Sequence, residues 1–232
     1  KLAIKILNAS KFVLGFAGGD GETGAGGRED VTEPVDLAML ARLADLVTEA
    51  TEAFEGYDYA RALERTEAFF WEFCDQYLEL VKGRAYGGRG DEAAWSAQAA
   101  LQLALSTLLR LFAPFLPFVT EEVWSWWQDG SVHRQPWPQA TELGAAASTT
   151  PTMLTAVGQV LTGMRGAKSQ AKVKMRAPLA SVRVSGPVEL VGLAERAAED
   201  LRAAGTVVGD LLFVSDPSAE ELQVTAQISP DA

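Results

Sequence analysis

Apolar residues recur three and four positions apart through most of the first 127 residues of this chain, a spacing that fits packed helices and little else. Leu2, Ile6, Ala9, Val13 and Phe16 mark one buried face of a first helix, which Gly15 begins to close. Thr32 is placed to cap a second helix with Pro34 in its first turn, and Leu37, Leu40, Ala44, Val47 and Phe54 carry its stripe to Gly56. Asp58 can cap a third, whose Tyr59, Leu63, Thr66, Phe70, Phe73, Tyr77 and Leu80 run to about Lys82. After the turn Gly83 to Gly90, Asp91 can cap a fourth helix with Leu101, Leu105, Leu108 and Phe112 inward, ended by Pro114 and Pro117. Val119, Val123 and Trp127 predict a short fifth helix closed by Gly130. Helices joined by short turns, each apolar on one side, specify an antiparallel bundle over residues 1–138.

The pattern then changes. Ser131 to Trp137 reads as an extended edge, and residues 139–150 as a linker of small residues. Met153 to Lys168 predicts a helix, Leu179 to Val184 a strand, Val188 to Ala204 a helix, and Val207 to Val214 and Leu222 to Ile228 two strands. Residues 151–232 therefore form a small α/β appendage, and the fold class is mainly α. The segment Gly18 to Asp30, rich in glycine and acids, reads as a loop. It lacks the Gly-Lys-Ser/Thr ending and preceding strand of a phosphate-cradling loop.

Of the chain's 232 residues, 48% are hydrophobic, enough to bury a sizeable core. No stretch approaches the run of about 18 apolar residues that a membrane span requires. Residue 1 is Lys rather than Met, and the polar first helix is unlike a signal peptide, so the chain is expected to begin inside a longer protein. With Cys74 its only cysteine, it can form no internal disulfide or multi-cysteine metal site, which fits a reducing, cytoplasmic setting.

A net charge of −11 argues at first against a nucleic-acid partner. Its distribution along the chain points the other way. Residues 1–14 carry Lys1, Lys5 and Lys11, and residues 165–176 carry Arg165, Lys168, Lys172, Lys174 and Arg176, with no acid in either segment. Solvated faces are the plain alternative to nucleic-acid contact, and for the second run so is complementing a helix C-terminal dipole.

Chemistry is harder to find. His133, the sole histidine, lies in an extended segment that suits a structural role, so no catalytic triad or His-rich metal site can be assembled without it. Cys74 sits on a helix as a small hydrophobe, and Glu121–Glu122 fall in a helix's first turn, where carboxylates complement the dipole. No catalytic, metal or cofactor-binding residue is assigned. A binding reading finds more. Lys1, Lys5, Asn8 and Lys11 form a polar ridge opposite the buried face, with Phe12 beside it. Single-stranded RNA recognition uses this combination: lysines meet phosphates, an amide reads a base edge, and a ring stacks a splayed base. The bland alternative makes Asn8 a surface residue and Phe12 part of the core.

These residues also carry a resemblance. Lys1-Leu-Ala-Ile-Lys-Ile-Leu-Asn8-Ala-Ser-Lys11-Phe12 resembles the first helix of the anticodon-binding bundle of class I valyl-tRNA synthetases. Trp71-Glu-Phe-Cys74-Asp75-Gln-Tyr77-Leu-Glu-Leu-Val-Lys82 is similar to that bundle's third helix, Leu111-Phe-Ala-Pro114-Phe-Leu-Pro117-Phe-Val-Thr-Glu121-Glu122-Val-Trp124 to the segment between its last long helix and the short one, and Ser131-Val-His133-Arg-Gln-Pro136-Trp137-Pro138 to the segment that usually follows. The His-Ile-Gly-His and Lys-Met-Ser-Lys-Ser signatures of the catalytic domain do not occur here. The resemblance implies a tRNA-binding part of an enzyme that attaches valine to tRNA using ATP, itself without cofactor and inactive alone. Its implied partners are valine-specific tRNA and the missing catalytic domain of the same parent chain, with no membrane. It places tRNA contact on Lys1, Lys5, Asn8, Lys11 and Phe12; the second basic run, read from its own charge, offers RNA-backbone contact at Arg165, Lys168 and Lys172. A sister synthetase for isoleucine or leucine remains open, as does a helical protein-interaction module presenting Trp124, Trp126 and Trp127.

Overall fold

A computed structural model describes residues 1–18, 27–144 and 150–230. The chain divides into two compact units, one of residues 1–75 and 85–149 and the other of 76–84 and 150–232. One break between the units falls between residues 149 and 150. The segment Gln76–Arg84, placed in the bundle by its periodicity, belongs instead to the second unit. The middle of the expected Gly18–Asp30 loop and the end of the expected linker, residues 19–26 and 145–149, lie outside the described residues.

The first unit is helical, built from α1 (Leu2–Leu14), α2 (Pro34–Glu55), α3 (Tyr59–Glu72), α5 (Asp91–Phe112) and α6 (Pro117–Trp124). Helix α5 touches each of the other four, and α2 also packs on α3. Ala38 and Ala50 of α2 and Ala97, Ala100 and Ala104 of α5 are fully buried, and such small side chains allow helix axes to approach closely. Phe70 meets Phe112 edge to face at 5.5 Å, adding directional packing to the area it buries.

The helix starts differ from expectation in instructive ways. Asp58 caps α3 by accepting the Arg61 backbone N–H at 3.1 Å. Thr32 does not cap α2. The Ser96 hydroxyl, on α5, accepts the backbone N–H groups of Thr32 and Glu33 at 3.1 and 3.0 Å and donates to the buried Asp36 carboxylate at 2.7 Å. The two backbone donors just before that helix are thus satisfied from a neighbouring helix. Before α5, Gly90 stands at φ 87°, a conformation that favours glycine, and Asp91 is the first helical residue rather than the cap.

Residues 131–144 strap back across this unit. Glu121 accepts from the Ser131 hydroxyl and the Val132 N–H, the Trp137 indole donates to Thr51 at 2.9 Å, and Arg28 donates to the Leu143 and Gly144 carbonyls. Where an extended edge was expected, Val132–Arg134 forms a short 3-10 turn, and His133 Nε2 lies 3.1 Å from the Pro117 carbonyl.

After α3 a π-type turn, Phe73–Tyr77, leads into α4 (Leu78–Ala85). Tyr77, Leu80 and Val81 are buried, and the Arg84 Nε–H donates to both Asp200 carboxylate oxygens at 3.0–3.1 Å. The rest of the second unit comprises α7 (Thr152–Gln170), β1 (Leu179–Gly186), α8 (Val188–Glu195), α9 (Ala198–Gly205), β2 (Val207–Ser215) and β3 (Gln223–Ile228). The sheet order is β2-β1-β3, with β1 parallel to β2 and antiparallel to β3. Parallel pairing requires a crossover, which α8 and α9 supply; the single helix expected over 188–204 is therefore two. Leu179, Val182 and Val184 of β1 are buried, and α7 packs on β3, α8 and α9.

Candidate nucleic-acid interface

Helix α1 buries Ile6, Ala9, Ser10 and Val13, with the Ser10 hydroxyl returned to the Ile6 carbonyl at 2.8 Å. The face opposite exposes Lys1, Ile4, Asn8 and Lys11, spaced by three, four and three. Periodicity therefore locates this ridge correctly except for one member: Lys5 stands at its flank and Ile4 takes its place.

Aromatic rings border both sides. The Lys11 ammonium lies 6.0 Å from the Trp126 ring centroid, and the Trp126 indole donates to Glu122 at 3.1 Å. On the other side the Lys5 ammonium donates to Asp75 at 2.8 Å and lies 5.5 Å from the Trp71 centroid. Part of its charge is thus balanced within the protein, although an exposed pair of this kind contributes little stability. Phe12 is half-buried, its centroid 5.1 Å from Phe16 and 6.1 Å from Tyr86. Sequence reasoning missed Tyr86, Trp71 and Asp75 because a helix's own periodicity does not reveal which rings a neighbouring segment brings alongside it. The one available signal was a large ring, Tyr86, in an otherwise polar, glycine-rich turn.

The second basic run separates by burial. Arg165 is half-buried and Lys172 exposed, Lys172 at φ 54° in the turn that closes α7. Lys168, expected on the RNA-facing surface, is only 2% exposed and donates to the Met175 and Gly205 carbonyls, each at 2.8 Å. Burial, with the Arg165 charge nearby, holds its ammonium below the usual lysine value. Lys168 continues the buried row Val157, Leu161 and Met164 of α7, whereas its charge suggests the surface.

The groups with potential for catalysis are engaged otherwise. Burial pushes the Cys74 thiol up to about 12, with Lys5 pulling it down and Asp75 raising it, so it stays protonated and a poor nucleophile. Glu121 is occupied by the strap. Of the three tryptophans, Trp124 is buried against Trp127 at 6.0 Å, and Trp126 is exposed. No described helix is long and apolar enough to cross a membrane.

A helical bundle whose leading helix presents lysines and an amide between aromatic rings has the make-up of an RNA-binding module. The family model for the anticodon-binding domain of tRNA ligases matches residues 36–184, and the chain belongs to that family. More particularly, it is similar to the valine–tRNA ligases of Thermobifida fusca (54% identical, over 99% of this chain), Cutibacterium acnes (52%, over 87%) and Leifsonia xyli subsp. xyli (50%, over 100%). These alignments cover 25%, 22% and 26% of the respective relatives, so the chain spans about a quarter of their length.

Proposed function

We propose that this chain is the tRNA-reading part of a valine–tRNA ligase acting in the cytoplasm, with ATP-dependent attachment of valine carried by the rest of the parent polypeptide. The exposed α1 ridge between its aromatic borders, in a chain of the anticodon-binding family, supports this reading most directly. In it, Asn8 and Lys11 read anticodon bases, Lys1 and Lys5 meet phosphates, and Arg165 and Lys172 add contacts to the RNA backbone. Lys168 is left out because its ammonium is committed to two carbonyls. Phe118, 90% exposed at the start of α6, faces the remainder of the parent chain.

The test is binding to valine tRNA and to a copy with an altered anticodon, at two salt concentrations. Preference for the native anticodon is expected; attraction without discrimination at low salt would reduce the interface to general electrostatics. Asn8→Ala should cost the native anticodon about 1–3 kcal/mol and the altered one less, since an amide-to-base contact discriminates by about that amount. An equal loss for both would remove Asn8 from base reading.

A further inference from the structure

We propose that Tyr86 is a stacking platform for an unpaired base of the bound RNA, an inference that rests on the anticodon-binding reading above and adds to it a residue outside α1. Tyr86 follows α4 in the turn that ends at Gly90, and Gly87 and Gly90 both adopt φ of 87° there. Its ring is 69% exposed, which leaves a large apolar surface in water within an otherwise polar turn. The ring is nevertheless held. Its centroid lies 4.9 Å from Phe16 at an interplanar angle of 65° and 6.1 Å from Phe12 at 80°, and Phe12 meets Phe16 at 5.1 Å and 89°.

Near-perpendicular ring pairs are the favoured geometry for aromatic side chains. Two of them fix the tyrosine's orientation before any ligand arrives, which lowers the entropy lost on binding. Within the cluster Phe12 and Phe16 are half-buried and Tyr86 is the exposed member. The stacking work that the sequence offers to Phe12 therefore passes to Tyr86, and Phe12 acts as its backing.

The surroundings suit a base. Phe12 lies one helical turn beyond Asn8, so a nucleotide stacked on Tyr86 sits on the Asn8 and Phe12 side of α1, with Lys11 bordering the ridge on the other side beside Trp126. Residues 1–18 contain no acid to repel its phosphate. Stacking on an aromatic ring tolerates any base, so this contact supplies affinity while Asn8 supplies discrimination.

The experiment uses the 232-residue chain and a valine tRNA anticodon stem-loop carrying 2-aminopurine at successive loop positions, with an altered-anticodon stem-loop beside it. For the unsubstituted protein, fluorescence quenching at one or two loop positions is expected. Tyr86→Ala should weaken binding about ten-fold and abolish that quenching, and Tyr86→Phe should retain both; circular dichroism confirms that each variant is folded. If the unsubstituted chain does not discriminate between the two stem-loops, the anticodon reading falls and this inference falls with it. If it discriminates but Tyr86→Ala binds equally well with the same quenching, only the stacking role is overturned, and the ring is left to a protein contact.

Discussion

Lys168 and Lys11 carry the same ammonium on the same tether, and their surroundings assign them opposite work. The first spans two buried carbonyls, so Lys168→Met should destabilise the second unit by about 1–3 kcal/mol, the cost of leaving such groups unsatisfied, while leaving the salt dependence of RNA binding unchanged. Lys11→Ala should flatten that dependence by about one charge and barely shift the urea midpoint. The opposite pattern in paired denaturation and salt titrations would exchange the two roles. Glu142 provides a pH probe of the first unit. Burial pushes its carboxyl up, but the hydrogen bonds from Arg110 and the Gln139 N–H, with the Arg110 charge, outweigh burial and hold it below its ordinary value of 4.5. A depressed folded value means that its contribution is present above pH 4.5 and lost as the pH falls through that depressed value. Glu142→Gln should therefore flatten the acid limb of the stability curve; an unaltered limb would show that Glu142 contributes nothing to it.

At the level of elements, the apolar period located the helices and strands well, because burial of one face is written into each segment's own spacing. It failed where geometry depends on another segment. The stripe from Tyr59 to Leu80 reads as one helix, yet the wider turn at Phe73–Tyr77 inserts a residue into it and rotates everything beyond. Nothing local marks such a turn, just as nothing near Thr32 announces that its backbone N–H will be taken up by Ser96, 64 residues away. Helix α7 offers a test of the same idea. A Cβ at Gly163 would stand 2.6 Å from Val224 of β3, whereas one at Gly166 would meet nothing within 4 Å. Alanine favours a helix over glycine by about 1 kcal/mol, so Gly166→Ala should raise the melting temperature and Gly163→Ala should lower it. Changes of the same sign would show that propensity, and not the contact with β3, governs this helix.

At the scale of the whole molecule, the two units are interleaved in sequence. The segment 76–84 supplies Tyr77, Leu80, Val81 and Arg84 to a unit otherwise made of residues 150–232. A fragment beginning at residue 150 would follow the boundary that composition suggests, yet it would leave Asp200 a buried carboxylate without its guanidinium. Removing one partner of such a pair costs about 3–5 kcal/mol. That fragment is expected to lack a cooperative thermal transition, and Asp200→Asn in the full chain to lower the stability of the second unit by a similar amount; a fragment that melts cooperatively would refute this account. The anticodon-binding class was legible only through the resemblance that the stretches Lys1 to Phe12, Trp71 to Lys82, Leu111 to Trp124 and Ser131 to Pro138 carry together. The grouping of residues 76–84 with the second unit was not, because contact between them and the distant 150–232 leaves no trace in either stretch alone.

Arg84 and Asp200 are 116 residues apart. A ribosome adding about 5–20 residues per second would release the guanidinium on the order of ten seconds before the carboxylate exists. During that interval the first unit's helices can emerge and pack, while Tyr77, Leu80 and Val81 have no sheet-bearing unit to enter. On a nascent chain, the α4 strip is thus an apolar surface exposed by the order of synthesis, and its protection until residue 200 emerges is a task for whatever attends the growing polypeptide.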